Sequence, residues 1–463
     1  MCWPGGFVAV EAVAERMSVR GAVVLAFLAG LLAVGVYQLE FRPVGQGSEA
    51  GPEALFENLS AADVDWVELP TTDGRSLRAE RIPSGWEIVS PLRVRADAIA
   101  FDGLASQLAS LVPEGQLEAP DRLEDFGVGD SADRIRFGAQ DQVQTLRLGG
   151  RTPVGGHTYV RVNQDSAVAW IATWRTNALR KSWMDWRDRR VLDFDQAAID
   201  SLEVDGIVGP LQMVRRGMLW FFTQPIEAQA DVDQVESLLT DLAFLQADGF
   251  IDEDEVASAL AILQEPTFDF RLQRDEGELA GELRLAPWRD GQWVASGRDG
   301  TLFLLSADRF KEWPRRLFDY RAKSLGGFDV TLARSLQWRW PSFSAEGAPS
   351  EFEAHWRDGR WLTDREGVSQ EQIRASLDGL SRLEAVGVLA EALGSEERSA
   401  LGLSPERVWV RVTGEEGEVL TELLWGRYEA ATGWPVVRAD SPTLYRVEAG
   451  WKEFLPMEGG VSP

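Results

Sequence analysis

The sequence predicts an α+β protein: one N-terminal transmembrane helix followed by three tandem repeats of a largely antiparallel sheet with one or two packed helices. Three observations carry this. An uncharged apolar run lies near the N-terminus. A set of residues recurs at fixed offsets along the rest of the chain. Within each recurrence, short alternating segments flank one amphipathic helical segment.

From Val19 to Leu39 the chain reads VRGAVVLAFLAGLLAVGVYQL, with no charge between Arg20 and Glu40. That is close to the ~20 residues a helix needs to cross a bilayer. It has no polar stripe, which a buried soluble helix would show. Arg16 and Arg20 precede it and Glu40 follows, so the positive-inside tendency puts the N-terminus in the cytoplasm and the rest outside, although Arg42 reduces the asymmetry. Ala33-Val34-Gly35 resembles a cleavage site but lies inside the apolar run, and the one cysteine, Cys2, is misplaced for a lipid anchor. The expectation is a single-pass, uncleaved anchor over 19–39 in the cytoplasmic membrane of a Gram-negative bacterium. Residues 1–18 form a short cytoplasmic head whose natural start is Met17. Residues 40–61, broken by Pro43, Gly45, Gly47, Gly51 and Pro52, form a linker.

The repeat is the most informative feature. Gly85-Trp86, an extended run, Pro91 and an Asp97-led helix recur 134 residues later as Trp220, Pro225 and Asp231, and Trp361 follows Trp220 by 141. The same ungapped offsets link Leu108, Leu242 and Leu383; Leu111, Leu245 and Val386; and Ala105, Leu239 and Leu380. They also link Tyr159, Trp293 and Trp434, and Asp165, Asp299 and Asp440. Copies are placed at 62–195, 196–329 and 330–456, with a tail over 457–463. In copy one, VDWVEL, SLRAERI, GWEIV, RIRFG, VQTLRLG, TYVRV and AVAWIA read as strands. Asp97–Leu111 reads as an amphipathic helix with Asp97 at its N-cap, and Asn177–Trp186 as a second, polar helix.

Composition limits function. Lys plus Arg number 47 against 74 Asp plus Glu, a net charge of −27, so nucleic acid is repelled. Two histidines, His157 and His355, cannot build a His-rich metal site, and one cysteine cannot form an internal disulfide. No metal and no cofactor is expected. Asp252-Glu253-Asp254-Glu255 lacks the spacing and central glycine of a calcium loop. Leu148-Gly149-Gly150 with Gly155-Gly156 is followed by a strand, so hairpin turns explain it better than a phosphate cradle.

The 19 tryptophans admit either core anchors or stacking platforms for sugars. Trp86, Trp220 and Trp361 hold one repeat position, which favours core anchors. The strongest local match joins Asp185–Asp195 (DWRDRRVLDFD) to Asp319–Asp329 (DYRAKSLGGFD), and copy three has no counterpart before the sequence given stops. Its residues Asp185, Arg187, Arg189, Phe194, Asp195, Asp319, Arg321, Lys323, Phe328 and Asp329 are expected to clamp a junction between copies. In that clamp arginine pairs with aspartate, and Phe194 or Phe328 packs into the next copy, which makes copy three the cap of the series. A protein-contact role for the same residues is the alternative.

Taken together, Gly85-Trp86, Pro91, Asp97-Ala98, Leu108 and Leu111 begin a recognisable order. Phe126-Gly127, Leu146–Gly149, Thr152-Pro153, Gly155-Gly156, TYVRV and the D-x-R-x-R…F close complete it. This order resembles a bacterial family known by number, domain of unknown function 4340, well over copy one and more loosely over the other two. Copy two has Leu285-Ala286 in place of Leu148-Gly149 and lacks the TPxGG turn. The resemblance implies a membrane-anchored extracytoplasmic protein with no assigned enzyme activity, accessory to a membrane complex such as an ABC-type exporter or gliding transporter, and it transfers no catalytic residues. The expected function is therefore a non-enzymatic scaffold or binding protein of unknown small-molecule ligand. A polysaccharide- or peptidoglycan-binding module and a hydrolase with a carboxylate site are the alternatives.

Overall fold

The computed structural model describes residues 54–456 apart from 207–208, 276, 298, 342–348 and 404–406. The anchor expected over 19–39 lies outside the described residues. Among the described residues no helix is long and apolar enough to cross a membrane. The chain divides into two compact units, one ending at Asp188 and the other beginning at Arg189.

The first unit carries copy one. Its elements are β1 (Val64–Pro70), β2 (Ser76–Ile82), β3 (Gly85–Ser90), β4 (Val94–Arg95), α1 (Ala98–Ala109), β5 (Gly115–Leu117), β6 (Asp133–Ala139), β7 (Gln142–Arg151), β8 (His157–Val162) and β9 (Val168–Ala172). They form one nine-stranded sheet in the order β4-β3-β2-β1-β6-β7-β8-β9-β5. Every neighbouring pair is antiparallel. The chain leaves β4 at one edge and enters β5 at the other, so α1 must cross a face of the sheet. Asp97 starts α1 by accepting the Ala100 amide at 2.9 Å. Ala100, Phe101, Leu104, Ala105 and Leu108 form its buried face. Burying each large side chain of that stripe contributes roughly 1.5–3 kcal/mol.

Alternation is interrupted in β1, where Val64 and Val67 are both buried. A register shift between Val64 and Trp66, opposite Gly138, accounts for it. A Cβ on Gly138 would lie 2.1 Å from Trp66 Nε1, so the indole needs glycine there.

The expected second helix over Asn177–Trp186 is not one helix. It is two short ones, α2 (Thr173–Ala178) and α3 (Trp183–Trp186). Ser182 and Asp185 form a capping box that starts α3 afresh. Nor is it polar, because Trp183 and Trp186 are buried in the copy-one core.

The second unit holds copies two and three. The copy-two sheet repeats the nine-strand order, and the copy-three sheet has eight strands because it lacks a counterpart of β4. Each has its crossing helix, α4 (Val232–Ala243) and, after α5 (Val256–Ile262) and α6 (Leu317–Tyr320), α7 (Gln370–Ser381). A further cluster lies apart from the main copy-two core, formed by Ala259 of α5 with Leu263, Ala286, Val294 and Leu302.

Two sequence expectations shift here. First, Val191 and Leu192 lie in the copy-two core, so the boundary read at 195/196 moves to 188/189. Second, the ungapped offset of 141 fails in the helix of copy three. Val235, Leu238, Leu239 and Leu242 are matched in burial by Ile373, Ser376, Leu377 and Leu380, an offset of 138. Leu245 and Leu383 are equivalent: their carbonyls accept the amides of Val191 and Leu325 at 3.0 and 2.8 Å. Val386, placed with Leu245 by the ungapped match, is 37% exposed. The cause is the missing edge strand, because the helix caps, Asp231 and Ser369, follow Trp220 and Trp361 by 11 and 8 residues.

Candidate functional site

The closing segment that copies one and two share is a two-sided β-clip. In the first unit, the Asp97 amide donates to Trp186 O at 2.9 Å and the Asp188 amide to Arg95 O at 3.0 Å. In the second, the Asp231 amide donates to Tyr320 O at 2.7 Å and the Ala322 amide to Gln229 O at 3.1 Å. The edge of the copy-two sheet is thus covered by the segment that leaves the copy. That segment then pairs with copy three: Leu325 N donates to Leu383 O, and Ala385 N to Lys323 O, each at 2.8 Å. Tyr320 packs into the copy-two core and Leu325 into the copy-three core.

The side chains divide differently from the expected arginine–aspartate pairing. Asp185 and Asp319 cap short helices: Asp185 accepts the Ser182 amide at 3.2 Å, and Asp319 the Arg316 amide at 3.0 Å. Asp195 and Asp329 cap the next 3-10 turns, accepting Ala197 N at 3.0 Å and Thr331 N at 2.8 Å. Arg321, 3% exposed, reaches into copy three, donating to Glu391 at 2.6 Å and to Thr443 at 3.0 Å. Lys323 donates to Asp231, the cap of α4, at 3.1 Å. Phe194 packs against the copy-two core and Phe328 against the copy-three core. Arg187 is buried with its guanidinium 5.7 Å from the Trp183 ring centre, and burial, with Arg75 adding repulsion, lowers its pKa to about 10. Arg189 lies in the second unit, where it acts on Asp248.

Both histidines, and Glu255 of the acidic run, have local partners. His157 Nε2 is 2.6 Å from Glu114, His355 Nε2 is 3.1 Å from Glu353, and Glu255 pairs with Arg289. The glycines after Leu148 continue β7, and residues 152–156 turn the chain into β8. Among the described residues no group of three or more His, Cys, Asp or Glu side chains is placed to hold a metal.

Trp86, Trp220 and Trp361 are all buried. What surrounds them differs. In copy one, Arg81 lies across the strand pair from Trp86, with its guanidinium 4.5 Å from the ring centre. Arg81 and the Trp86 indole both donate to Asp102 of α1, at 3.0 and 2.9 Å. Copy two repeats this with Arg215, Trp220 and Glu236: 5.0 Å over the ring, then 2.7 and 2.8 Å to the carboxylate. In each, the arginine also donates to a 3-10 turn carbonyl, Ala61 O at 3.2 Å and Ala197 O at 3.5 Å. The clasp ties strand, helix and turn together.

Copy three dismantles the clasp. The strand position of Arg215 is Trp356, paired across from Trp361. With the helix offset of 138, the position of Glu236 is Arg374. Gln196, which in copy two donates to Glu236 at 3.2 Å and Thr240 at 3.1 Å, is replaced by Val330. A pocket of about 340 Å³ lies there, lined by Val330, Arg334, Trp356, Trp361, Arg374 and Asp378 among others. The two indoles meet edge to face, with ring centres 5.7 Å apart.

The chain matches the family described as Domain of unknown function (DUF4340) twice, over residues 86–261 and 220–406. It belongs to the DUF4340 family. The two DUF4340 matches begin at Trp86 and Trp220, the same repeat position, and each runs through a closing segment into the following copy. The clasp tryptophan and the β-clip are therefore both inside the DUF4340 unit. No curated protein and no solved structure matches the chain.

The tryptophans and the closing motif were visible in the sequence as recurrences. The clasp partners Arg81, Asp102, Arg215 and Glu236, and the pocket residues Trp356 and Arg374, were missed. Arg81 and Arg215, and Asp102 and Glu236, stand 134 apart and keep their charge, a recurrence that points to the clasp; Trp356 departs from it at the offset of 141, and Arg374 only once the helix offset is corrected to 138.

Proposed function

We propose that this chain is a non-enzymatic binding protein of a membrane complex, such as an ABC-type transporter, anchored in the cytoplasmic membrane by Val19–Leu39 with its three copies outside the cytoplasm. The observation that carries the binding role is the copy-three pocket, which takes the place of a clasp that copies one and two keep closed. A filled clasp serves stability, whereas an open aromatic floor with charged groups on its rim has the make-up of a ligand site. Along the chain, copies one and two then separate the anchor from the copy-three pocket. The acidic surface keeps such a chain soluble outside the bilayer.

The test is affinity purification of the full chain, solubilised with its anchor in detergent. The expected result is recovery of subunits of a membrane complex from wild type and their loss from Trp356→Arg/Arg374→Glu, which restores the clasp residues. Recovery of no membrane partner by the wild-type chain would overturn the reading.

A further inference from the structure

We infer that the copy-three pocket binds a carboxylate carried on an aromatic ring. This rests on the binding role proposed above and names the chemistry of its ligand. The floor supplies the first half of the match. Trp356 is half-buried and leaves ring surface open beside Trp361, where the guanidinium of Arg215 lies over Trp220 in copy two. A flat apolar group can occupy that space at an indole face.

The second half is charge. Where copies one and two place a carboxylate on the crossing helix, copy three places Arg374, and among the described residues it has no hydrogen-bond or ion-pair partner. Arg334 is held in place, with Nη1 donating to Thr331 O at 2.8 Å and to Ala333 O at 3.1 Å. Its Nη2 is 3.5 Å from the exposed Glu415. Arg334 is thus balanced by Glu415, and Arg374 is left as the guanidinium on the pocket rim without a bonded counter-ion among the described residues, in a chain whose net charge is −27. A guanidinium left without a bonded partner on so acidic a molecule selects an anion, and it matches a carboxylate in two hydrogen bonds. Asp378, on the same stretch of helix, disfavours a ligand with several negative charges. At about 340 Å³ the pocket has room for one substituted ring and not for a run of sugars.

The carboxylate has two possible sources, a free aryl acid or the C-terminal aromatic residue of a peptide. Fluorine NMR titration of the full chain in detergent tests the chemistry with three probes: 4-fluorophenylacetate, 4-fluorobenzyl alcohol and 4-fluorobenzylamine. The acid should bind about tenfold more tightly than either analogue, as expected for a charge-assisted pair. Arg374→Glu, a change on an exposed helix position, should weaken the acid by about tenfold or more. Trp356→Ala should weaken all three probes. Equal binding of acid and amine, or acid binding unchanged in Arg374→Glu, would overturn the inference. A pentapeptide ending in phenylalanine, compared with its C-terminal amide, separates the sources. Tighter binding of the free-acid peptide than of 4-fluorophenylacetate assigns the site to a chain terminus, and no gain assigns it to a small molecule. If the probes fail while the full chain still captures a membrane partner, the carboxylate inference falls and the binding role stands.

Discussion

Copies two and three share one sheet order, save for an edge strand that copy three lacks, and one buried tryptophan, yet they use the space beside it in opposite ways. Copy two fills it with Arg215 held by Glu236; copy three exchanges the arginine for Trp356 and the acid for Arg374. Both sets of residues are compatible with the fold, because the tryptophan is anchored from the sheet side and the exchange happens at the rim. The lesson is that the repeat supplies a scaffold with one adjustable position, and that function is read from where the repetition fails.

The comparison breaks most visibly if the shared anchor is removed. Trp220→Ala deletes a fully buried ring and should cost about 3–5 kcal/mol. Hydrogen exchange measured by mass spectrometry should show protection lost from the copy-two strand Ser201–Gly206. Trp356→Ala, at the half-buried position of copy three, should leave the strand Ser335–Trp340 close to its wild-type protection. Equal losses would mean that the pocket floor is structural.

Next in size is the clip. Arg321→Ala removes a buried cation together with its hydrogen bonds to Glu391 and Thr443, at a cost of about 2 kcal/mol. Exchange should quicken at Leu383–Ala385, where the segment pairs with copy three. Arg321→Lys should not restore protection, because one ammonium cannot reproduce the forked contact with both partners. Protection unchanged in Arg321→Ala would remove the junction role and return the residue to partner contact.

The clasp itself is half-exposed and weaker. A double-mutant cycle on Arg215→Ala and Glu236→Ala should give a coupling of about 0.5–1 kcal/mol. The same cycle on Trp356→Ala and Arg374→Ala should give none beyond error. Coupling of equal size in copy three would show that its pocket is closed by an equivalent contact.

How much of this was legible beforehand follows the physics of each element. β2 could be read to the residue because Leu77 and Ala79 alternate with polar neighbours over seven residues. β4 and β5, with two and three residues, are too short to display a period of two and were missed. The second helix was misread because Ser182 restarts the chain, a capping effect that looks like continuity in a composition-based reading. The helix of copy three was misaligned because leucines at three- and four-residue spacing match themselves at several offsets; the buried faces and the shared backbone bond to Leu245 or Leu383 distinguish 138 from 141. The closing motif was legible as a pattern, since its aspartates cap helices and its aromatic fills a core. Its arginine partner was not, because Glu391 lies 70 residues away at an unrelated repeat position.

The smallest expected effects contrast two acids within copy two. Asp319 is pushed up by burial, but its hydrogen bonds from Arg316 and from the Arg315 amide outweigh this and hold its pKa below the usual carboxylate range. Its ionised form is favoured by the fold, so the stability it adds is present above the ordinary carboxylate pKa and is lost as pH falls through the lowered one. Asp269 runs the other way. Burial raises its pKa more than Arg284 and Arg271 lower it, and its Oδ1 has no hydrogen-bond partner. Its ionised form is disfavoured by the fold, so stability is lost as pH rises from the unfolded pKa to the raised one, and that cost persists at neutrality. At pH 7, Asp319→Asn should therefore lower stability and Asp269→Asn should raise it, each by up to about 1 kcal/mol. Asparagine can still accept the cap hydrogen bond at 319, which leaves the lost charge as the main difference there. Exchange protection of Ser201–Gly206, followed from pH 7 downwards and corrected for intrinsic exchange rates, should show Asp269→Asn converging on wild type first, as the raised carboxyl protonates, and Asp319→Asn converging only below the ordinary carboxylate pKa. Shifts of the same sign for the two variants would mean that the aspartates act through packing and not through charge.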